Sequence, residues 1–307
     1  MNFEPLDLSK AAPMMCDEIE NKSQNGWSAG KIGTSEFNAI RWYVQRMNQR
    51  VQDSYPPFVI REMTQNAGLW TPTTRTIDSV IDEWAEETIK AIKNLNVAVS
   101  WSPSAKAHEL ELLNTWAPKA KKVVLRALEP YYTPDNQYTQ KMTRGKIAVV
   151  SPFADSIATQ WLKRTQIFPE SGPAGKMWLD NQEIIPIKAF YGPTMTPQNY
   201  SLTWTQEILD AGPLKAVEFL CQEVVNSGAK YAFVGIGALS LPLVNKLKNN
   251  GITAIHTGGG TQIMFGVKGN RWSNHDVISK LFNDNWIKPN LNEIPSAANK
   301  VEGGCYW

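Results

Sequence analysis

The sequence predicts an α/β fold: a largely parallel, Rossmann-like sheet with helices on both faces. Short apolar runs supply the strands: Val97–Trp101, Val123–Leu125, Ile147–Val150, Ile184–Ala189, Tyr231–Val234 and Thr253–Ile255. They alternate with helical patterns at Ala107–Trp116, Ala154–Thr165, Leu214–Asn226 and Ser240–Asn249. Strands alternating with helices of this length form a parallel sheet covered on both faces.

Before the first of these strands, residues 1–30 are polar and weakly patterned, and read as an irregular arm. Residues 31–307 then form one α/β domain, without repeats or low-complexity linkers. Ser35–Arg50 reads as a helix capped by Thr34 or Ser35, with Phe37, Ile40, Val44 and Met47 at helical spacing. Thr76–Asn94 is a longer amphipathic helix with Ile77, Val80, Ile81, Trp84, Ile89 and Ile92 along one stripe. These two N-terminal helices are expected to add a layer to the sheet.

Composition narrows the functional classes. With 42% apolar and 20% charged residues the chain is globular, and its 307 residues are enough for a substantial core. A net charge of +2 gives no general attraction to nucleic acid or to a membrane surface. Neither a signal peptide nor an apolar run long enough to span a bilayer is visible. Cys16, Cys221 and Cys305 lie far apart, so neither a disulfide framework nor a zinc cluster is expected, and a cytoplasmic setting fits. The 12 tryptophans serve a core or offer flat faces to a sugar.

In parallel α/β sheets ligands bind beyond the carboxyl ends of the strands, near a switch in strand order. The segments there include Ser151-Pro152-Phe153, Gly235-Ile236-Gly237 and His256-Thr257-Gly258-Gly259-Gly260, all small, polar or glycine-rich. Gly235 and Gly237 invite comparison with a dinucleotide fingerprint, but Ser240 stands where the third glycine belongs, and no acid follows the next strand. They fit either anion contact through helix-start amides or a tight strand-to-helix turn. Gly258, Gly259 and Gly260 suit main-chain amides gathered around an anion. Downstream, Lys268 and Arg271 offer charge to a diphosphate, and Trp272 a stacking face. The alternative is a flexible loop with solvated charges.

His256 and Asp155 are the candidates for a base. The alternatives are a histidine satisfied by backbone and an aspartate capping the helix after Ser151. Glu36 favours the positive end of its helix whether or not it also serves a site. The C-terminal Val301–Trp307, rich in aromatics, either docks on the body or covers the site. No zinc-protease, nucleophile-elbow or P-loop motif occurs.

Gly30-Lys31-Ile32-Gly33-Thr34-Ser35-Glu36-Phe37, Gly145–Phe153 and His256–Trp272, taken in order, resemble the GT-D-fold glycosyltransferases, a family first catalogued as a domain of unknown function. The resemblance spans most of residues 28–307. It implies a cytoplasmic enzyme of polysaccharide biosynthesis that moves a sugar from a nucleotide-sugar donor, a UDP-sugar above all, to a glycan or saccharide acceptor. In that family a D-x-E motif helps hold a divalent metal, Mn²⁺ or Mg²⁺, against the diphosphate. Here Thr34 replaces the first acid and Glu36 alone matches, which puts metal dependence in question. By the same resemblance Gly33, Ser35 and Ser151 join the nucleotide site, while Gly235 and Gly237 join it from their place between a strand and a helix. Two other readings stand beside it: a different nucleotide-using α/β enzyme such as a methyltransferase, and a non-catalytic nucleotide- or sugar-binding protein.

Overall fold

The computed structural model describes residues 4–49, 54–100, 107–198 and 200–307. In chain order its main elements are α1 (Leu8–Asp17), β1 (Trp27–Gly30), α2 (Thr34–Gln49), α3 (Pro57–Arg61), α4 (Ile77–Lys93), β2 (Val97–Ser100), α5 (Ala107–Trp116) and β3 (Lys121–Val124). Then come β4 (Ile147–Ser151), α6 (Ala154–Trp161), α7 (Arg164–Ile167), β5 (Ile184–Lys188), α8 (Gln206–Ala211) and α9 (Pro213–Asn226). The last are β6 (Tyr231–Val234), α10 (Ser240–Asn249), β7 (Thr253–His256) and α11 (Gly260–Met264). Short 3-10 turns fill much of the remainder.

The sheet has seven strands, all parallel, in the order β3-β2-β1-β7-β6-β4-β5. Every position of β1, β2, β4, β6 and β7 is buried, which is why most of these strands read as unbroken apolar runs. Ala98, Val150, Val234 and Ala254 face α4, α9 and α10 on one side. On the other, Val99, Val149, Phe233 and Ile255 face α1, α6 and the segments around residues 125–142 and 263–286. Trp178 stacks on Phe265 with centroids 5.1 Å apart and meets Phe233 edge-on, filling the middle of that layer.

Connections that move toward β3 run over the first face, and those that move toward β5 over the second, as one crossover hand requires. From β1 through β7 and β6 to β4, each adjacent pair of strands therefore parts company at its carboxyl ends. After β1 and β6 the chain turns to the first face; after β7 and β4 it turns to the second. These divergences open the crevice that holds the site.

The N-terminal segment is not an irregular arm. Asp7 caps α1 by accepting from the Lys10 amide, an interaction worth ~1 kcal/mol. Helix α1 buries Ala11, Ala12 and Met15, and one π-helical turn follows at Glu18–Lys22. Trp27 then opens β1, a central strand between β2 and β7. Its indole donates to the buried Glu18 carboxylate at 2.8 Å, and the Ser28 amide donates to Asn96 Oδ1 at 3.1 Å. The two N-terminal helices, α2 and α4, add to the helical covering of the sheet as expected. They belong to the crossover from β1 to β2: α4 packs with α9 and α10 over the first face, and α2 packs on α4. Arg50 and Trp101, expected to end a helix and a strand, lie outside the described residues. No helix among the described residues is long and apolar enough to cross a membrane.

Candidate functional site

A cavity of about 450 Å³ lies beyond the carboxyl ends of β1, β7, β6, β4 and β5. Helix α2 begins at its rim. A methyl group at Gly33 would meet the Glu36 carboxylate, which folds back over the turn and would have to swing aside. Gly33, Thr34, Ser35 and Glu36 all line the wall.

Lys31 lies on the same wall, although its role was not legible in the sequence. A Cβ at Gly258 would stand 3.2 Å from the Lys31 Nζ and 3.6 Å from His256 Cε1, so the two side chains meet across this glycine. Gly258 has φ +57, a conformation that glycine adopts without strain. Burial pushes the Lys31 ammonium pKa down, Glu129 opposes the shift, Arg126 reinforces it, and Glu36 and Arg271 act in turn. Glu129 is itself buried and pairs with Arg126 at 2.5 Å.

His256 is 6% exposed. Burial, and then repulsion from Lys31, push its pKa down to about 3, against a hydrogen bond to the Val234 carbonyl. With Nδ1 at 3.2 Å from that carbonyl, the neutral ring donates through Nδ1 and keeps a lone pair on Nε2. A general base works best with a pKa near the operating pH. His256 therefore suits a neutral hydrogen-bonding group better than the base expected of it.

Arg271 completes the charged end. Glu302 pairs with its guanidinium, Tyr306 OH accepts from it at 3.1 Å, and the Tyr306 ring lies 4.8 Å from it. The C-terminal segment thus forms a wall, with Val301, Glu302, Tyr306 and Trp307 on the cavity. Glu302 (φ +45), Gly303 (φ +70) and Gly304 (φ +77) turn the chain into place.

Several expected residues stand elsewhere. Asp155 is not on the cavity: it sits in the first turn of α6 and forms an ion pair with Lys188 at 2.6 Å. The carboxylate that receives the α6 amides is Glu293, which accepts from Asp155 N at 2.8 Å and from Ser156. Lys268 also points away, its ammonium 5.8 Å from the Phe282 ring centroid. Trp272 supports the loop from behind, beside Gly259 and 6.0 Å from Tyr306, and offers no face to the cavity. Gly260 packs against Glu129 and Tyr131, and its amide is spent on Thr257. Ser151, Gly235, Gly237 and Gly259 do line the wall.

The glycines after β6 have reasons inside the protein. A Cβ at Gly235 would lie 2.5 Å from Thr261 Oγ1 and 2.7 Å from the Gly258 carbonyl. Gly237 has φ +59, and a Cβ there would lie 2.5 Å from the Ala67 carbonyl. Their spacing serves close backbone packing.

The opposite end, over β4 and β5, is aromatic. Phe153, Phe190, Tyr191, Trp204 and Trp307 line it, and Trp307 touches both Phe153 and Tyr191 at ring-centroid distances of 6.2 and 6.3 Å. Tyr191 OH donates to the Glu293 carbonyl at 2.9 Å, which fixes that ring.

The acids on the wall are Glu36 and Glu302, and Arg271 already engages Glu302. Among the described residues no three histidine, cysteine or acidic side chains gather where they could hold an ion. The chain matches no protein-family model, no curated protein and no solved structure.

Proposed function

We propose that the protein is a glycosyltransferase that takes its sugar from a nucleoside diphosphate donor, a UDP-sugar by preference, and passes it to a saccharide hydroxyl. The observation that carries this reading is Lys31, an ammonium set into the cavity wall beside Arg271 and the start of α2. Burial makes its charged form costly, so an anion bound there offsets that cost. As the glycosidic bond breaks, negative charge grows on the departing diphosphate. Lys31 and Arg271 are placed to stabilise that charge, which is the larger part of what such a site contributes. The partial positive charge at the start of the 16-residue helix α2 adds to the field. His256, neutral, offers Nε2 to a hydroxyl or a phosphate-bound proton.

Resemblance to the GT-D-fold glycosyltransferases in the Gly30–Phe37 and His256–Trp272 stretches supports the same reading. Glu36 is the acid on the wall best placed to meet donor or acceptor hydroxyls. The non-catalytic binding reading draws on one observation, that Asp155 lies off the cavity while His256 is a weak base. The methyltransferase reading draws on Gly235 and Gly237, whose packing against Thr261 and Ala67 already accounts for them.

A melting-temperature panel with UDP-, GDP- and CDP-sugars against S-adenosylmethionine tests the proposal, since a ligand of the native state raises the midpoint by mass action. At least one nucleotide sugar is expected to stabilise the protein and to be consumed in the presence of an acceptor. Stabilisation by S-adenosylmethionine alone refutes it. Stabilisation by a nucleotide sugar without turnover on any acceptor favours the non-catalytic binder.

A further inference from the structure

The charged and aromatic ends of the cavity lie over different strands, and the aromatic end carries polar groups of a particular kind. All four charged side chains on the wall, Lys31, Glu36, Arg271 and Glu302, belong to the segments after β1 and β7, the first turn of α2 included, or to the C-terminal segment. Over β5 the wall is Phe190, Tyr191 and Trp204; Gln65 and Asn66 also line the cavity, just before Ala67 and Gly68, which reach the ends of β6 and β5. No charged side chain lies among these.

The geometry points to a subsite for an uncharged saccharide ring at this end, the acceptor subsite if the transferase reading holds. A π-helical turn, Glu62–Asn66, delivers Gln65 and Asn66 to the wall. Such turns are rare and recur at functional sites. The chain that follows is pinned to both neighbouring strand ends. The Ala67 carbonyl accepts from Ala238 N at 2.9 Å, beyond β6. Gly68 O lies so close to Gly192 that a Cβ there would stand 3.3 Å away, beyond β5. Trp70 stacks on Trp204 at 6.2 Å and donates to the Leu209 carbonyl, and Phe190 meets Trp204 edge-on at 5.4 Å. The two amides therefore project from a braced segment.

Among the described residues neither the Gln65 nor the Asn66 side chain makes a hydrogen bond inside the protein, and both are half-buried. A primary amide both donates and accepts, as a sugar hydroxyl does. Aromatic rings supply the apolar face that a sugar's C–H surface covers. Amides and aromatic faces without charge select a neutral sugar over a uronic or phosphorylated one, because a buried unpaired carboxylate is costly to desolvate.

A nucleobase is the rival occupant, and the strand order argues against it. From Gly258 beyond β7, where the Lys31 ammonium lies, to β5 is three strand spacings, roughly 14 Å. That exceeds the reach of a base from its own diphosphate, so the far end is left for the second substrate.

The test uses the full chain and a panel of methyl glycosides of neutral hexoses and N-acetylhexosamines, with glucuronic acid and UDP as further probes. Binding is read by saturation-transfer NMR and calorimetry. At least one neutral glycoside is expected to bind, and Gln65→Ala and Asn66→Ala to weaken it about tenfold, the loss of one or two hydrogen bonds. Their UDP affinity stays at the wild-type value. Gln65→Met preserves volume and gives the same loss should Gln65→Ala lower the melting temperature. If UDP affinity falls with the glycoside's, the amides read the base and the proposal is overturned. Binding of glucuronic acid alone, or of no glycoside, also overturns it. Glycoside binding by a wild-type chain that ignores every nucleotide keeps this subsite and discards the transferase reading.

Discussion

The Lys31 ammonium and the His256 imidazole face each other across Gly258, the imidazole buried and the ammonium half-buried on the cavity wall. The ammonium lowers the imidazole's affinity for a proton. The histidine yields, with its pKa pushed down to about 3, and is neutral at physiological pH.

That arrangement sets an acid limit on stability. The folded pKa of His256 lies below its unfolded value, so its contribution is complete above about pH 6.5 and is lost as pH falls toward 3. The slope from this one group is at most about 1.4 kcal/mol per pH unit. His256→Asn is expected to flatten the acid side of a pH series of urea unfolding curves. An acid limb unchanged in slope shows that His256 titrates normally.

Lys31 gives the opposite sign in binding. Burial lowers its pKa in the free protein, and a bound diphosphate raises it again, so anion affinity falls as pH rises through the lowered value. Calorimetry of nucleotide binding in buffers of differing ionisation enthalpy checks this. Net proton uptake on the alkaline side is expected, and Lys31→Met abolishes it.

Arg271 is shared between Glu302 and any incoming anion. Glu302→Gln frees the guanidinium and is expected to tighten nucleoside diphosphate binding several-fold, while Arg271→Ala weakens it by about 1–3 kcal/mol. Equal affinity in both variants removes this end from the site. By contrast Lys268→Ala and Asp155→Asn, both off the cavity, should leave affinity at the wild-type value.

Gly235→Ala and Gly237→Ala test why those glycines exist. Each would drive a methyl group into Thr261 and Gly258, or into the Ala67 carbonyl at a positive φ. Loss of about 1–3 kcal/mol of stability is expected for either, with the larger loss at Gly237. Variants as stable as the wild type would return these glycines to a ligand.

Much of the sheet was legible because strands buried on both faces leave plain apolar runs; β6 falls at its expected bounds and β2, β4 and β7 within one residue. Strand β1 escaped notice. Trp-Ser-Ala-Gly is short and mostly small residues, and Ser28 is tolerated at the centre because Asn94 and Asn96 receive its hydrogen bonds. With β1 unread, Lys31 could not be seen as a strand-end residue, and Lys268 and Arg271 carried the diphosphate reading together. Only strand order brings Lys31 beside the His256 loop, and periodicity contains no strand order. The Gln65 and Asn66 amides left no signal either, since a polar pair in a helix looks solvated until its cavity is built around it.

Titration of the wild-type chain and of Lys31→Met with the nucleotide sugar that stabilises it best is the most direct test of the site. Binding by the wild type, weakened tenfold or more in Lys31→Met, a loss of at least about 1.4 kcal/mol, is the expected result. Equal affinity in the two proteins, with Lys31→Met folded, would contradict a diphosphate site built on Lys31.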